Sequence, residues 1–170
     1  MKRVYDEIAA ALEKHAAQFD ILGVNPPETF DIHLGQPQNP DQFEFALPAV
    51  FYDYSVDFSA EYLYVYIHAV QEFEDDTECF AAKREPGERF FLFLTALKRC
   101  LNNLKIPHRA FGKLCLYQEQ PQNSDFYYHH LLTFRCLYKS DLDDDLYPAA
   151  SAKQYTLDLK RGRLKTTLAQ

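Results

Sequence analysis

The side chains best suited to chemistry are gathered at Tyr127-Tyr128-His129-His130, with Asp125 just upstream and His68 on a separate apolar segment. Imidazoles bind transition metals well, and neighbouring strands could bring His68 beside one of the pair. Adjacent strand residues point to opposite faces, so His129 and His130 cannot share one ion on one face. A three-ligand site would need partners that no spacing in the chain specifies. The expected role of His68, His129 and His130 is therefore structural or interfacial, and no metal is expected. Asp141, Asp143, Asp144 and Asp145 invite a calcium reading but lack the glycine and distal glutamate of an EF-hand loop. They read as a solvated turn, as do Glu72, Glu74, Asp75, Asp76 and Glu78.

Other chemistries find less support. There is no Gly-x-Ser-x-Gly elbow. Cys115 and Cys136 fall in predicted strands rather than at a helix start, where a thiolate would be stabilised. The five glycines (Gly23, Gly35, Gly87, Gly112 and Gly162) are scattered, which gives no phosphate loop. Asp53 and Asp57 are spaced for one strand face, but Asp and Ser alternating with aromatics is the usual solvent side. No catalytic or cofactor-binding residue is assigned, and the chain is expected not to be an enzyme.

The elements that must position these residues centre on Leu47 to Phe73. Val50, Tyr52, Tyr54, Val56 and Phe58 alternate with Phe51, Asp53, Ser55 and Asp57; after a polar break, Leu63, Val65, Ile67 and Ala69 alternate with Tyr62, Tyr64, Tyr66 and His68. This period of two predicts two long strands with one dry face and one mixed, aromatic face offered to a partner. Val4, Ile8, Leu12, Ala16 and Phe19 predict a helix over Lys2 to Phe19. Pro86-Gly87 punctuates the chain before a second helix, Glu88 to Leu104, with Phe91, Leu94, Leu97, Leu101 and Leu104 as its buried stripe. Thr29 to Leu34, Lys113 to Glu119 and Tyr127 to Lys139 read as further strands, and Gly35 to Glu44 as loop. The expectation is an α+β domain over 1–148, order αβββαββ, with a mostly antiparallel sheet of five to six strands and two helices on one face. Residues 149–170 add a hairpin or tail, Tyr155 to Leu159 returning through Arg161-Gly162 to Leu164 and Thr166.

Composition bounds the partners. The 170 residues carry 14 Phe and 12 Tyr but no Trp, and tyrosine suits half-wet surfaces and subunit interfaces. A net charge of −7 argues against nucleic acid, whose binding depends on Lys and Arg. The basic patch Lys160, Arg161, Arg163 and Lys165 is the local exception and reads as a solvated tail. Cys79, Cys100, Cys115 and Cys136 form no CxxC pair; they are expected to be reduced and cytosolic, three of them as small buried hydrophobes. The charged N-terminal stretch lacks the apolar core of a signal peptide, and no apolar run is long enough to span a bilayer.

In this order of elements the chain resembles the small tail-completion proteins of tailed bacteriophages, most closely the tail-terminator or minor tail proteins of Bacteroidetes prophages. The likeness is carried by Phe30 to Gln36, by Phe45-Ala46-Leu47-Pro48-Ala49-Val50-Phe51, and by Tyr64 to Val70. Leu101-Asn102-Asn103-Leu104 and Asp125 to Tyr138, with Asp141 after it, complete it. The resemblance implies a structural role without catalysis or cofactor: a ring, often of six subunits, that stops tail-tube polymerisation and meets the head–tail connector. It implies a cytoplasmic protein during assembly that ends in the virion. Such a subunit joins its neighbours head to tail and needs two different patches. The acidic stretches Glu72 to Glu78 and Asp141 to Asp145, against Lys160 to Lys165, offer opposite charges for that contact, so association is expected to be salt-sensitive. The alternative is a non-catalytic protein- or ligand-binding module of a mobile element, and behind it an enzyme with a spatially assembled site.

Overall fold

Apolar residues recurring every three to four positions place three helices on one side of an alternating-pattern sheet. The computed structural model describes residues 1–72 and 85–143, with two further strands at 154–158 and 163–167. In chain order the elements are α1 (Lys2–Lys14), α2 (Ala17–Ile21), β1 (Thr29–Ile32), β2 (Ala49–Asp57), β3 (Tyr62–Glu72), α3 (Glu85–Leu101), β4 (Cys115–Pro121), β5 (Tyr127–Leu137), β6 (Gln154–Asp158) and β7 (Arg163–Thr167). The five-stranded sheet runs β1-β2-β3-β5-β4, and β6 and β7 pair as a separate antiparallel hairpin. The α+β class is as expected. The sheet is mixed rather than mostly antiparallel, because β1 lies parallel to β2 while the other three pairings are antiparallel.

The parallel pair has a physical consequence. Parallel neighbours cannot be joined by a tight turn and need a long crossover. Here the crossover is the segment 33–48, which contains no α-helix, only a 3-10 turn at Gln36–Gln38. What the sequence presents as a plain loop is the connection that fixes the position of β1.

The dry face is the one predicted over Val50, Tyr52 and Leu63 to Ala69, whereas Tyr54 and Phe58, expected on it, are 45% and 61% exposed at the end of β2 and in the turn beyond it. Val50 and Tyr52 of β2, Leu63, Val65, Ile67 and Ala69 of β3, and Leu132, Phe134 and Cys136 of β5 are buried in one core with residues of all three helices. Removing this apolar surface from water is the main stabilising term, at roughly 25 cal/mol per Å². The first helix is shorter than predicted: it stops at Lys14 and resumes at Ala17, so that Phe19 reaches Phe93 with ring centroids 5.7 Å apart. Lys14, His15 and Ala16 include no helix breaker, and the sequence carries no mark of this turn.

The last helix starts earlier and turns differently. Pro86 stands in its first turn, where a missing N–H costs nothing, so Pro86-Gly87 belongs to α3 rather than preceding it. Phe90, Phe93, Leu94, Ala96, Leu97, Cys100 and Leu101 are buried, whereas Phe91, expected in the stripe, is 61% exposed. Leu94, Leu97 and Leu101 are buried as expected, and the stripe widens towards Phe90, which packs on Tyr128 and His130 of β5, and Phe93, which meets Phe19 of α2. Asn103, at φ 67, ends the helix in the left-handed conformation that asparagine tolerates, and its N–H donates to the Leu114 carbonyl at 2.7 Å.

One acidic expectation changes. Asp143 is no solvated turn residue: it is 3% exposed and accepts a 2.7 Å hydrogen bond from the Tyr138 hydroxyl. Asp141 is exposed, as expected. Glu74, Asp75, Asp76, Glu78, Cys79, Asp144, Asp145, Lys160 and Arg161 lie outside the described residues. Cys100 and Cys136 are buried free thiols, but Cys115 is exposed, contrary to the buried-hydrophobe reading.

Candidate functional site

The second face of the sheet, which carries no helix among the described residues, divides into two halves. Strand alternation and register place His68, Val70 and the three tyrosines of β3 there, together with Phe51, Asp53 and Ser55 of β2 and His129, Leu131, Thr133 and Arg135 of β5. This is the predicted aromatic face, but the crossover 33–48 covers one end of it. Under the crossover, Ala49, Phe51 and Val70 form a second small core with Phe45, Leu47 and Tyr127. Phe45 meets Phe51 edge-on at 5.1 Å, and its ring is tilted against that of Tyr127 at 5.5 Å. The Thr29 hydroxyl bonds both the Ala46 carbonyl, at 2.9 Å, and the Ala46 N–H, at 3.0 Å, clasping the far end of the crossover to β1.

The histidines sit at the near end of the same crossover. The His33 ring lies flat on His68, centroids 3.8 Å apart and planes 2° from parallel. His68 Nδ1 and His129 Nε2 are 3.0 Å apart, a hydrogen bond in which one ring donates and the other accepts. The predicted approach of His68 to one histidine of the pair is therefore realised with His129. His130 points to the helix side, edge-on to Phe90 and 3.7 Å from Glu119 Oε1. The strand alternation argument against a shared His129–His130 ion describes this geometry.

His33 is the residue that sequence reasoning passed over. Its signal was present in the pattern Thr29-Phe30-Asp31-Ile32-His33, which puts His33 on the face opposite Phe30 and Ile32. That becomes useful only once β1 is known to lie parallel beside β2, where the His33 N–H donates to the Tyr52 carbonyl at 2.8 Å.

Electrostatics keeps the trio neutral. Burial, then the nearby His33 and His129, pushes His68 down to about 3. Burial, then His33 and His130, pushes His129 down to about 4. His33 is also lowered, by burial, against the opposing pull of Asp53 and a hydrogen bond with Gln38. His33 Nε2 and His129 Nδ1 are buried without a hydrogen-bond partner. Among the described residues no group of three or more His, Cys, Asp or Glu side chains is arranged to hold a metal ion. The stacking explains this for the trio, since the in-plane lone pairs of parallel rings 3.8 Å apart do not converge on one point.

No other described element covers the second half of the face. Ser55, Tyr64, Tyr66, Tyr117, Gln118, Gln120, Leu131 and Thr133 line a shallow concavity of about 400 Å³. Ser55 and Tyr66 share a hydrogen bond at 2.9 Å. The Arg135 guanidinium lies between two rings, 4.5 Å from the centre of Tyr62 and 4.7 Å from that of Tyr117. Tyr117 stands at the irregularity in the β4–β5 register between Leu116 and Gln118, which turns it outward to 54% exposure. Asp53 and Asp57 do not form an acid–base pair: Asp57 accepts hydrogen bonds from Ser59 and Ala60 in the turn, and these hold its carboxyl below its ordinary range. Chemically this half can stack, hydrogen-bond and exclude water.

Among the described residues no helix is long and apolar enough to cross a membrane. Neither a scan against family models nor a search of the curated proteins finds a match for this chain.

Proposed function

We propose that this chain is a non-catalytic assembly protein of a tailed phage or prophage, of the tail-terminator or tail-completion kind. In this reading it joins copies of itself into a ring and contacts the tail tube and the connector through the open half of its sheet. It works in the cytoplasm during assembly and ends in the virion, without nucleic acid or membrane partners. The observation that carries the reading is a sheet face that bears no helix among the described residues and whose exposed part is made of tyrosines, an arginine and amides. Tyrosine and arginine are enriched where protein surfaces meet. The resemblance carried by Phe45 to Phe51, Tyr64 to Val70 and Asp125 to Tyr138 supports it; these segments lie in the far end of the crossover and in β2, β3 and β5.

The alternative, a ligand-binding module, is favoured by one feature, the concavity of about 400 Å³ between β2 and β4. Negative-stain imaging and light scattering of the purified chain, alone and mixed with tail-tube protein, separate the two. Rings or tube-bound caps that dissociate as salt is raised are the expected result. A monomer at every salt and protein concentration that never binds tubes would overturn it.

A further inference from the structure

We propose that the crossover, residues 33–48, is held on the sheet by an acid-released latch formed by His33, His68 and His129. The crossover is attached at both ends. At the near end the flat His33–His68 stack continues into the His68–His129 hydrogen bond. At the far end Phe45 and Leu47 pack over Ala49, Phe51 and Val70. The two attachments adjoin, because Phe51 pairs with His68 and Val70 pairs with His129 in the sheet register. A change at the histidines therefore reaches the apolar contacts directly.

The latch depends on neutral rings. A neutral imidazole has one donor and one acceptor, so His68 and His129 can share a single proton between facing nitrogens. A second proton there sets two donors against each other. A proton on His33 Nε2 or His129 Nδ1 would have no acceptor, because both atoms are buried without a partner. Charge on both members of the stack would set two cations against each other at 3.8 Å.

The surrounding charges do little to offset this. His33 feels Asp53 on β2 and bonds Gln38 in the crossover itself. His68 is faced by His33 and His129. His129 is faced by His33 and, from the helix side, by His130, which in turn lies near Glu119 on β4 and Lys98 on α3. Among the described residues Asp53 is the acid acting on the trio, and it acts on His33.

Lifting the crossover returns the rings to water and to their ordinary proton affinity. Acid therefore favours the lifted state by about tenfold per pH unit for each proton taken up below about pH 6.5. Hydrogen–deuterium exchange of the full chain at pH 7.5, 6.0 and 5.0, corrected for the intrinsic rate, reads this out peptide by peptide. The expected result is a loss of protection in 33–48 of about tenfold or more by pH 5.0, while α1 and α3 keep theirs. His33→Phe keeps a stacking ring but cannot be charged, and should reduce the acid response of the same peptides. Should that variant not fold, the histidine ring protons of the unaltered chain provide a second readout by NMR. His68 and His129 should then stay neutral until the crossover signals shift. Equal protection of 33–48 at pH 7.5 and 5.0 would overturn the latch. So would its loss only together with α3, an unchanged acid response in His33→Phe, or ring titration near pH 6.5 with the crossover still in place.

Discussion

The same strands, β2, β3 and β5, run through a covered half and an open half of one sheet face, and their residues change character between the two. Under the crossover they present Ala49, Phe51, Val70 and His129, all at most 2% exposed. Beyond it, at positions of the same alternation, they present Ser55, Tyr64, Tyr66 and Arg135. Alternation assigns a residue to a face, but it is residue type that distinguishes a permanently covered stretch from one left to water or to a partner. Tyrosine and arginine tolerate both conditions, since each has an apolar body and a polar end. The covered half should thus govern stability, and the open half association.

The sharpest way to break that contrast is a pair of truncations. Phe51→Ala removes a ring that is 1% exposed and packed edge-on by Phe45, and should cost about 3–5 kcal/mol. Tyr117→Ala, on a ring 54% exposed, should cost about 1 kcal/mol or less. Urea unfolding of both variants measures the difference. Comparable losses would mean that the two halves are not energetically distinct.

A smaller effect comes from pH. His68 is neutral in the folded chain down to about pH 3, whereas the unfolded chain takes up its proton near pH 6.5. The unfolded state therefore binds more protons throughout that window, and stability falls as the pH drops from 6.5 towards 3. At pH 5 the contribution of His68 should be about 2 kcal/mol below its value at pH 7. His129 acts in the same direction, over a window that closes near 4. His68→Phe should flatten the curve of urea midpoint against pH between 7 and 5, and a curve of unchanged slope would show that His68 is not the group responsible.

How much of this was legible in the sequence follows from the range of the interactions. The dry face was readable because alternation in Val50 to Val56 and Leu63 to Ala69 is local. So was the separation of His129 from His130. The crossover was not, because Gly35 to Glu44 has no periodicity, and its position is set by distant partners such as Phe51 and Tyr127. His33 was hidden for the same reason: its neighbours His68 and His129 come from other strands, and a parallel β1 cannot be inferred from four residues. Asp143 looked solvated beside Asp141 because nothing local marks Tyr138 as its donor.

The finest test of the contrast lies at Arg135. Its guanidinium is stacked between Tyr62 and Tyr117, and each such contact at an exposed site is worth about 0.5–1 kcal/mol. Lysine keeps the charge but loses the flat surface that stacks on both rings. Arg135→Lys should therefore lower folding stability by about 1 kcal/mol or less, close to the limit of a urea titration. Its effect on association should be larger, since arginine and tyrosine side chains at the centre of an interface often account for much of the binding energy. A tenfold or greater weakening of self-association or tube binding, at nearly unchanged stability, would place the open half in the contact. An equal loss of both would mean that Arg135 only braces the sheet, and the interface would then have to be sought on another surface.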